Sequence, residues 1–223
     1  MPRAAPLPLN ARKTPVQARS ALTVDAILQA TIQVLLASGK DRLTTTRVAE
    51  RAGVSVGTLY QYFPNKRALL QAVLKRHLDG IALDMEQACA RHRSNGLLEM
   101  GRALAATYLD AKMRDIRTSS ALYAVSSDVD GAAIHKAASA RMQGAAAALF
   151  ATAKEGLAKD PDLIATILFS VLNGAARKAL EDKSPSRQLE SLRVEVLVLV
   201  QAYLRTCTSP LRRRQASPAV DSR

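Results

Sequence analysis

The segment Thr44-Thr45-Thr46-Arg47-Val48-Ala49-Glu50-Arg51-Ala52-Gly53-Val54-Ser55-Val56-Gly57-Thr58-Leu59-Tyr60-Gln61-Tyr62-Phe63 limits the fold more than any other part of the chain. Val48, Ala49, Val54 and Leu59 are apolar where two short helices joined by a tight turn must touch. Gly53 stands where such a turn needs a positive φ. Ala49 is small enough to permit a close crossing. The first of the two helices is expected from about Thr46 to Ala52, with Thr45 as its cap. The second is expected from about Ser55 to Tyr62 and turns Ser55, Gly57, Thr58, Tyr60 and Tyr62 outward, with Leu59 and Phe63 in the core.

The flanking sequence continues the helical pattern. A helix from about Val24 to Ser38 carries Ile27, Thr31, Val34 and Leu35 on one stripe, and Gly39 stops it. Pro64 ends the helix after the turn, and Asn65 caps the next, which runs from Lys66 past His77 with Leu69, Leu70, Val73 and Leu74 inward. Asn95-Gly96 marks a break. Longer helical segments follow near 97–116, 131–158, 162–182 and 187–205, separated at Asp128–Asp130, Asp160-Pro161 and Ser184-Pro185. Alanine is abundant and β-branched runs are few, so the fold class is all-α. Residues 1–20, with Pro2, Pro6, Pro8 and Pro15 among Arg12, Lys13 and Arg19, read as a flexible basic arm. Residues 208–223, with Arg212 to Arg214, read as a disordered basic tail.

The charge is large and uneven. The 223 residues carry a formal net charge of +13. Residues 1–80 hold twelve Lys and Arg against four acids, Asp25, Asp41, Glu50 and Asp79. Such an excess points to a polyanion, nucleic acid or an anionic membrane surface, met by the N-terminal third.

The 44–63 segment resembles the DNA-binding domain of the TetR family. The elements that carry the resemblance are Thr45-Thr46, Val48-Ala49, Ala52 to Ser55, Gly57 to Tyr60, Tyr62-Phe63, and Lys66 with Leu69. It covers residues 23–76. It implies an all-α protein with a three-helix helix-turn-helix domain at 21–78 and a helical bundle at 79–207 for effector binding and dimerisation. It also implies double-stranded DNA as partner, with Thr45, Thr46, Ser55, Val56, Gly57, Thr58, Tyr60, Gln61, Tyr62 and Lys66 at the interface. Thr45, Tyr62 and Lys66 would meet phosphates, and Ser55, Gly57, Thr58 and Tyr60 would read bases. Val56 departs from relatives with a polar residue there and could meet a thymine methyl. Gly57 inside a helix costs about 1 kcal/mol relative to Ala, and close approach of the backbone to DNA is a reason to keep it. Tyr60 and Tyr62 could equally pack on the domain surface, and Thr44 and Thr46 could be mere caps.

The resemblance further implies a homodimer on a near-palindromic operator, released by a small-molecule effector; the alternative is an effector-independent or activating regulator. Ile164, Ile167, Leu168, Val171, Leu172 and Ala175 form one apolar face, and Leu189, Leu192, Val196, Leu199, Val200 and Tyr203 another, which suits a two-fold four-helix interface; the alternative is that one face is intramolecular core. Met100, Tyr108, Met113, Tyr123, Phe150, Phe169 and Asn173 are candidates to line an effector cavity, with Met85, His135 and Met142 as further ones.

Other classes find little support. There is no Gly-rich phosphate loop, no His-Glu-x-x-His and no Gly-x-Ser-x-Gly, and His77, His92 and His135 have no evident nucleophile beside them. The reading is of a non-enzyme with no cofactor and no metal. Glu86, Cys89 and His92 fall at i, i+3 and i+6, but no further ligand joins them and a solvated helix edge explains them. Cys89 and Cys207 match no metal spacing and suit a reducing compartment. No apolar run is expected to reach membrane-spanning length, and no signal-peptide block follows Met1-Pro2-Arg3. The cytoplasm is the expected address.

Overall fold

The structure, a computed structural model, describes residues 15–181 and 186–208, with side chains over 20–181 and 189–208. The described residues form nine α-helices: α1 (Pro15–Arg42), α2 (Thr45–Ala52), α3 (Val56–Tyr62), α4 (Lys66–Arg91), α5 (Leu97–Met113), α6 (Ile116–Ser126), α7 (Gly131–Phe150), α8 (Pro161–Glu181) and α9 (Ser186–Arg205). A 3-10 turn at Ser127–Val129 joins α6 to α7. Two compact units divide between Val73 and Leu74, inside α4. The side chains of Arg12, Lys13 and Arg19, the Ser184-Pro185 break and the Arg212–Arg214 tail lie outside the described residues.

The first unit is built on the expected stripes. Ile27, Thr31 and Leu35 of α1 are buried with Val48, Ala49, Leu59, Leu69, Leu70 and Val73. Thr31 is tolerated there because its hydroxyl donates to the Ile27 carbonyl at 2.7 Å. Helix α1 begins at Pro15, well before Val24, and Pro at a first helical position already has the required φ. Gly39 (φ 76, ψ 172) breaks the helical path before Arg42, as its position in the sequence suggests.

In the second unit α5 supplies Leu97, Met100, Leu104, Tyr108 and Leu109 to the core. It packs on α9 and α8, and α7 packs on α8. Tyr108 meets Phe169 edge-to-face at 5.9 Å. Gly101 permits the α5–α9 approach, because a Cβ there would lie 2.0 Å from Leu204 Cδ1.

Three expectations need correction here. Residues 116–126 form a separate helix, α6, because the Asp115 carboxylate accepts from Thr118 N at 3.0 Å and starts a new cap. Helix α7 stops at Phe150 rather than near 158. Its exit is held by bonds from distant chain, Lys154 N to the Asn95 carbonyl and Ala158 N to the Cys207 carbonyl. Two helices, over 20–42 and 161–181, are long and apolar enough to cross a membrane by length and composition. Each spends apolar residues on the core instead, Ile27, Leu28 and Leu35 on the first and Ile164, Leu168 and Leu172 on the second.

Candidate nucleic-acid interface

Local chemistry shapes the helix-turn-helix. Thr44, not Thr45, caps α2: its backbone is extended and its hydroxyl accepts from Arg47 N at 3.3 Å. Thr45 is instead the first helical residue, and its hydroxyl lies 3.0 Å from the Tyr60 hydroxyl. That bond ties the start of α2 to α3. Gly53 closes α2 in the left-handed region (φ 68, ψ 30), and Val54 N donates to the Ala49 carbonyl at 3.0 Å. Ser55 then caps α3, accepting from Thr58 N at 3.0 Å, and its Oγ lies 2.8 Å from Thr58 Oγ1. Leu59 is fully buried and Phe63 nearly so. Asn65 caps α4 through Ala68 N at 2.8 Å.

This scaffold leaves one face of the motif open. Thr46, Ser55, Gly57, Tyr60 and Gln61 are exposed, and Thr45, Val56, Thr58, Tyr62 and Lys66 are half-buried. A Cβ on Gly57 would meet only Ser55 Oγ, at 3.7 Å, so nothing inside the protein requires glycine there. Lys66 donates to the Lys40 carbonyl at 2.7 Å, near the end of α1. Two cations not anticipated from sequence join this unit's surface. Arg47 donates to the Arg42 carbonyl at 3.1 Å, and Arg42 to the Ser38 carbonyl at 3.2 Å. Neither pairs with a carboxylate among the described residues. Their signal in the sequence was only a share in the N-terminal basic excess.

Comparison with known proteins decides the family. The family model "Bacterial regulatory proteins, tetR family" matches residues 27–73, and "Tetracyclin repressor-like, C-terminal domain" matches 97–204. The chain belongs to the TetR family. Similar TetR-type relatives include the HTH-type transcriptional repressor KstR of Mycolicibacterium smegmatis, 42% identical over 62 residues, 28% of this chain and 30% of that one. The tetracycline repressor protein class D of Escherichia coli is 39% identical over 62 residues, 26% of this chain and 28% of that one. The chain thus spans about a third of the length of these curated relatives. A TetR-family transcriptional regulator of Mesorhizobium loti has the same fold, with TM-score 0.71 at 22% identity, over 86% of this chain and 99% of that one.

The second unit of this TetR-family chain contains a cavity of about 300 Å³. Of the residues singled out from sequence, Tyr108, Tyr123 and Asn173 line it, with His135 and Met142. Met100, Phe150 and Phe169 are fully buried core side chains that do not line it, and Met113 does not line it either. Lys112, Lys136 and Arg177 line it and were not anticipated; Lys112 follows Tyr108 by four residues on α5, a spacing that puts both on one face. The Glu86, Cys89 and His92 row has other uses. Glu86 binds Arg141, burial pushes the Cys89 thiol up to about 11, and His92 lies 3.3 Å from Asn95 Nδ2. No group of His, Cys, Asp and Glu able to hold a metal occurs among the described residues.

The apolar faces of α8 and α9 divide. Ile164, Leu168, Leu172, Val196 and Val200 are buried within this unit, which corrects their assignment to a partner-facing surface. Leu163, Ile167, Val194, Val198 and Leu199 stay 38–56% exposed.

Proposed function

We propose that this TetR-family chain is a cytoplasmic transcriptional repressor that binds a near-palindromic operator as a homodimer through α3 and is released by a small-molecule effector in the second unit. The observation that carries the reading is the open face of the helix-turn-helix. Its small and hydroxylated groups are Gly57, Thr58, Tyr60 and Gln61, and the surface of the same unit carries Arg42 and Arg47, which have no acidic partner among the described residues. A recognition helix with this surface suits a major groove, and the cations suit phosphates. Ser55 and Thr45 act first as a cap and a tether, and contact DNA from those positions. Tyr62 and Lys66 are the phosphate anchors of this reading.

The test is selection of bound sequences from random DNA with non-specific competitor, followed by variants. One inverted repeat is the expected recovery; sequence-blind, salt-sensitive binding would replace the reading with an architectural role. Lys66→Ala should lower affinity for all sequences and reduce the salt slope by about one phosphate per site. The salt slope matters because Lys66 also bonds the Lys40 carbonyl, and loss of that bond alone leaves the slope unchanged. Thr58→Val should instead change which repeats are recovered.

The dimer reading rests on Leu163, Ile167, Val194, Val198 and Leu199, large apolar side chains exposed on two helices that pack together. Ile167→Glu combined with Val198→Glu should give a monomer by sedimentation and lose the inverted-repeat preference. A dimer that survives both changes would move the interface elsewhere.

A further inference from the structure

Lys112 is buried in the wall of the second-unit cavity, with 9% of its surface exposed. Among the described residues its ammonium has no ion pair and no hydrogen bond; it lies 5.8 Å from the centre of the Tyr108 ring. A buried charge without a partner is costly, and the usual remedy is an opposite charge. His135, across the same cavity wall, has a buried Nε2 with no partner. Lys136 and Arg177 add positive charge, and among the described residues no Asp or Glu lines the cavity. The nearby acid, Glu181, is occupied: it accepts from the Tyr123 hydroxyl at 2.7 Å and lies 3.9 Å from Arg177. The Tyr108 hydroxyl donates to Asn173 Oδ1, which leaves the Asn173 amide N–H groups as donors. Leu78, Ala138, Met142 and Leu180 form the apolar part of the wall.

We infer that this cavity takes a small amphipathic organic anion, a carboxylate, whose head lies between Lys112 and His135 and whose apolar body lies against Leu78, Met142 and Leu180. The inference rests on the effector reading above and gives that site its chemical class. A carboxylate satisfies both orphaned groups at once. A neutral ligand with an acceptor satisfies His135 and leaves the Lys112 charge uncompensated. An amine adds a like charge. Burial lowers the Lys112 ammonium to about 8, so it remains mostly charged at neutral pH, and it keeps His135 in the neutral form.

The experiment is calorimetric titration of the full chain at neutral pH with two matched sets, octanoate, octanamide and octylamine, then benzoate, benzamide and benzylamine. The same compounds are then scored for release of the selected operator. At least one carboxylate should bind about tenfold or more tightly than its amide, a difference expected of one charge-assisted contact. Lys112→Met should remove that preference while amide binding persists. Amides or amines binding as well as carboxylates, a preference surviving Lys112→Met, or no carboxylate binding at all would each overturn the anion assignment. The two readings fail separately. Carboxylates that bind with the Lys112-dependent preference but leave operator affinity unchanged would keep the anion site and end the effector role. Neutral compounds that bind best and release the operator would keep the effector role and end the anion class.

Discussion

Gly57→Ala is expected to stabilise the protein and, in the same molecule, to weaken operator binding about tenfold or more. The two effects have separate causes. Gly57 lies in the first turn of α3 with its Cα exposed, and an added methyl meets only Ser55 Oγ at ordinary contact distance. The free protein therefore gains helix propensity without strain, up to about 1 kcal/mol. On the bound side, a methyl group stands where the backbone is proposed to approach the groove edge. It removes no charge, so the salt slope of binding should stay at the wild-type value while affinity falls. Thermal melting and operator titration over a salt series check both halves. An unchanged affinity would take Gly57 out of the interface, and a lowered melting point would mean that glycine serves the fold.

Lys112→Met is expected to raise stability at neutral pH by about 3 kcal/mol, with the gain disappearing in alkali. Burial brings the Lys112 ammonium down from 10.5 to about 8. The groups facing it, His77, His135 and the Tyr108 ring, offer no negative charge; burial first, and then the Lys112 charge, lowers both histidines. Below about pH 8 the folded protein holds the charged form at a cost the unfolded chain does not bear. Between about 8 and 10.5 the unfolded chain keeps the proton and the folded protein has released it, so wild-type stability rises with pH. Above that range Lys112 is neutral in both states and the cost is gone. The difference in unfolding free energy between variant and wild type, measured by denaturant titration across this range, should therefore shrink steadily toward alkali. A difference that stays constant with pH would mean that Lys112 finds an anionic partner in the folded protein. The same measurement shows that the variant used for ligand titration is folded.

The helix-turn-helix was legible because its determinants are local. A hydroxyl or carboxamide three residues ahead of the amide it accepts from, a glycine in the left-handed region and a proline after a helix each act within one or two turns. Gly53 and Asn65 do what their positions imply, while Ser55, expected as the first residue of α3, is its cap. Even there a one-residue error entered. Three consecutive threonines can each cap; Thr44 takes that place, and Thr45 bonds Tyr60, fifteen residues on. The α5–α6 boundary and the end of α7 were harder to read. Asp115 begins a cap inside an otherwise helical pattern, and the α7 exit is fixed by carbonyls of Asn95 and Cys207 far away in sequence.

The amino-acid sequence determined that the chain is helical, where the central turns of its first four helices lie, which short motif faces outward and that the N-terminal third carries the excess positive charge. These follow from side-chain periodicity, capping and composition, which act along the chain. Tertiary structure alone decided what covers each helix face. Periodicity marks Ile164 and Ile167 alike as apolar, yet one is fully buried and the other 38% exposed, because the neighbour that excludes water comes from elsewhere in the fold. The same holds for the cavity. Tyr108 and Lys112 come from α5, His135 and Met142 from α7, and Asn173 and Arg177 from α8. No spacing along the chain predicts that three helices will converge on one unpaired ammonium, because burial is set by distances through space between elements that are remote in sequence.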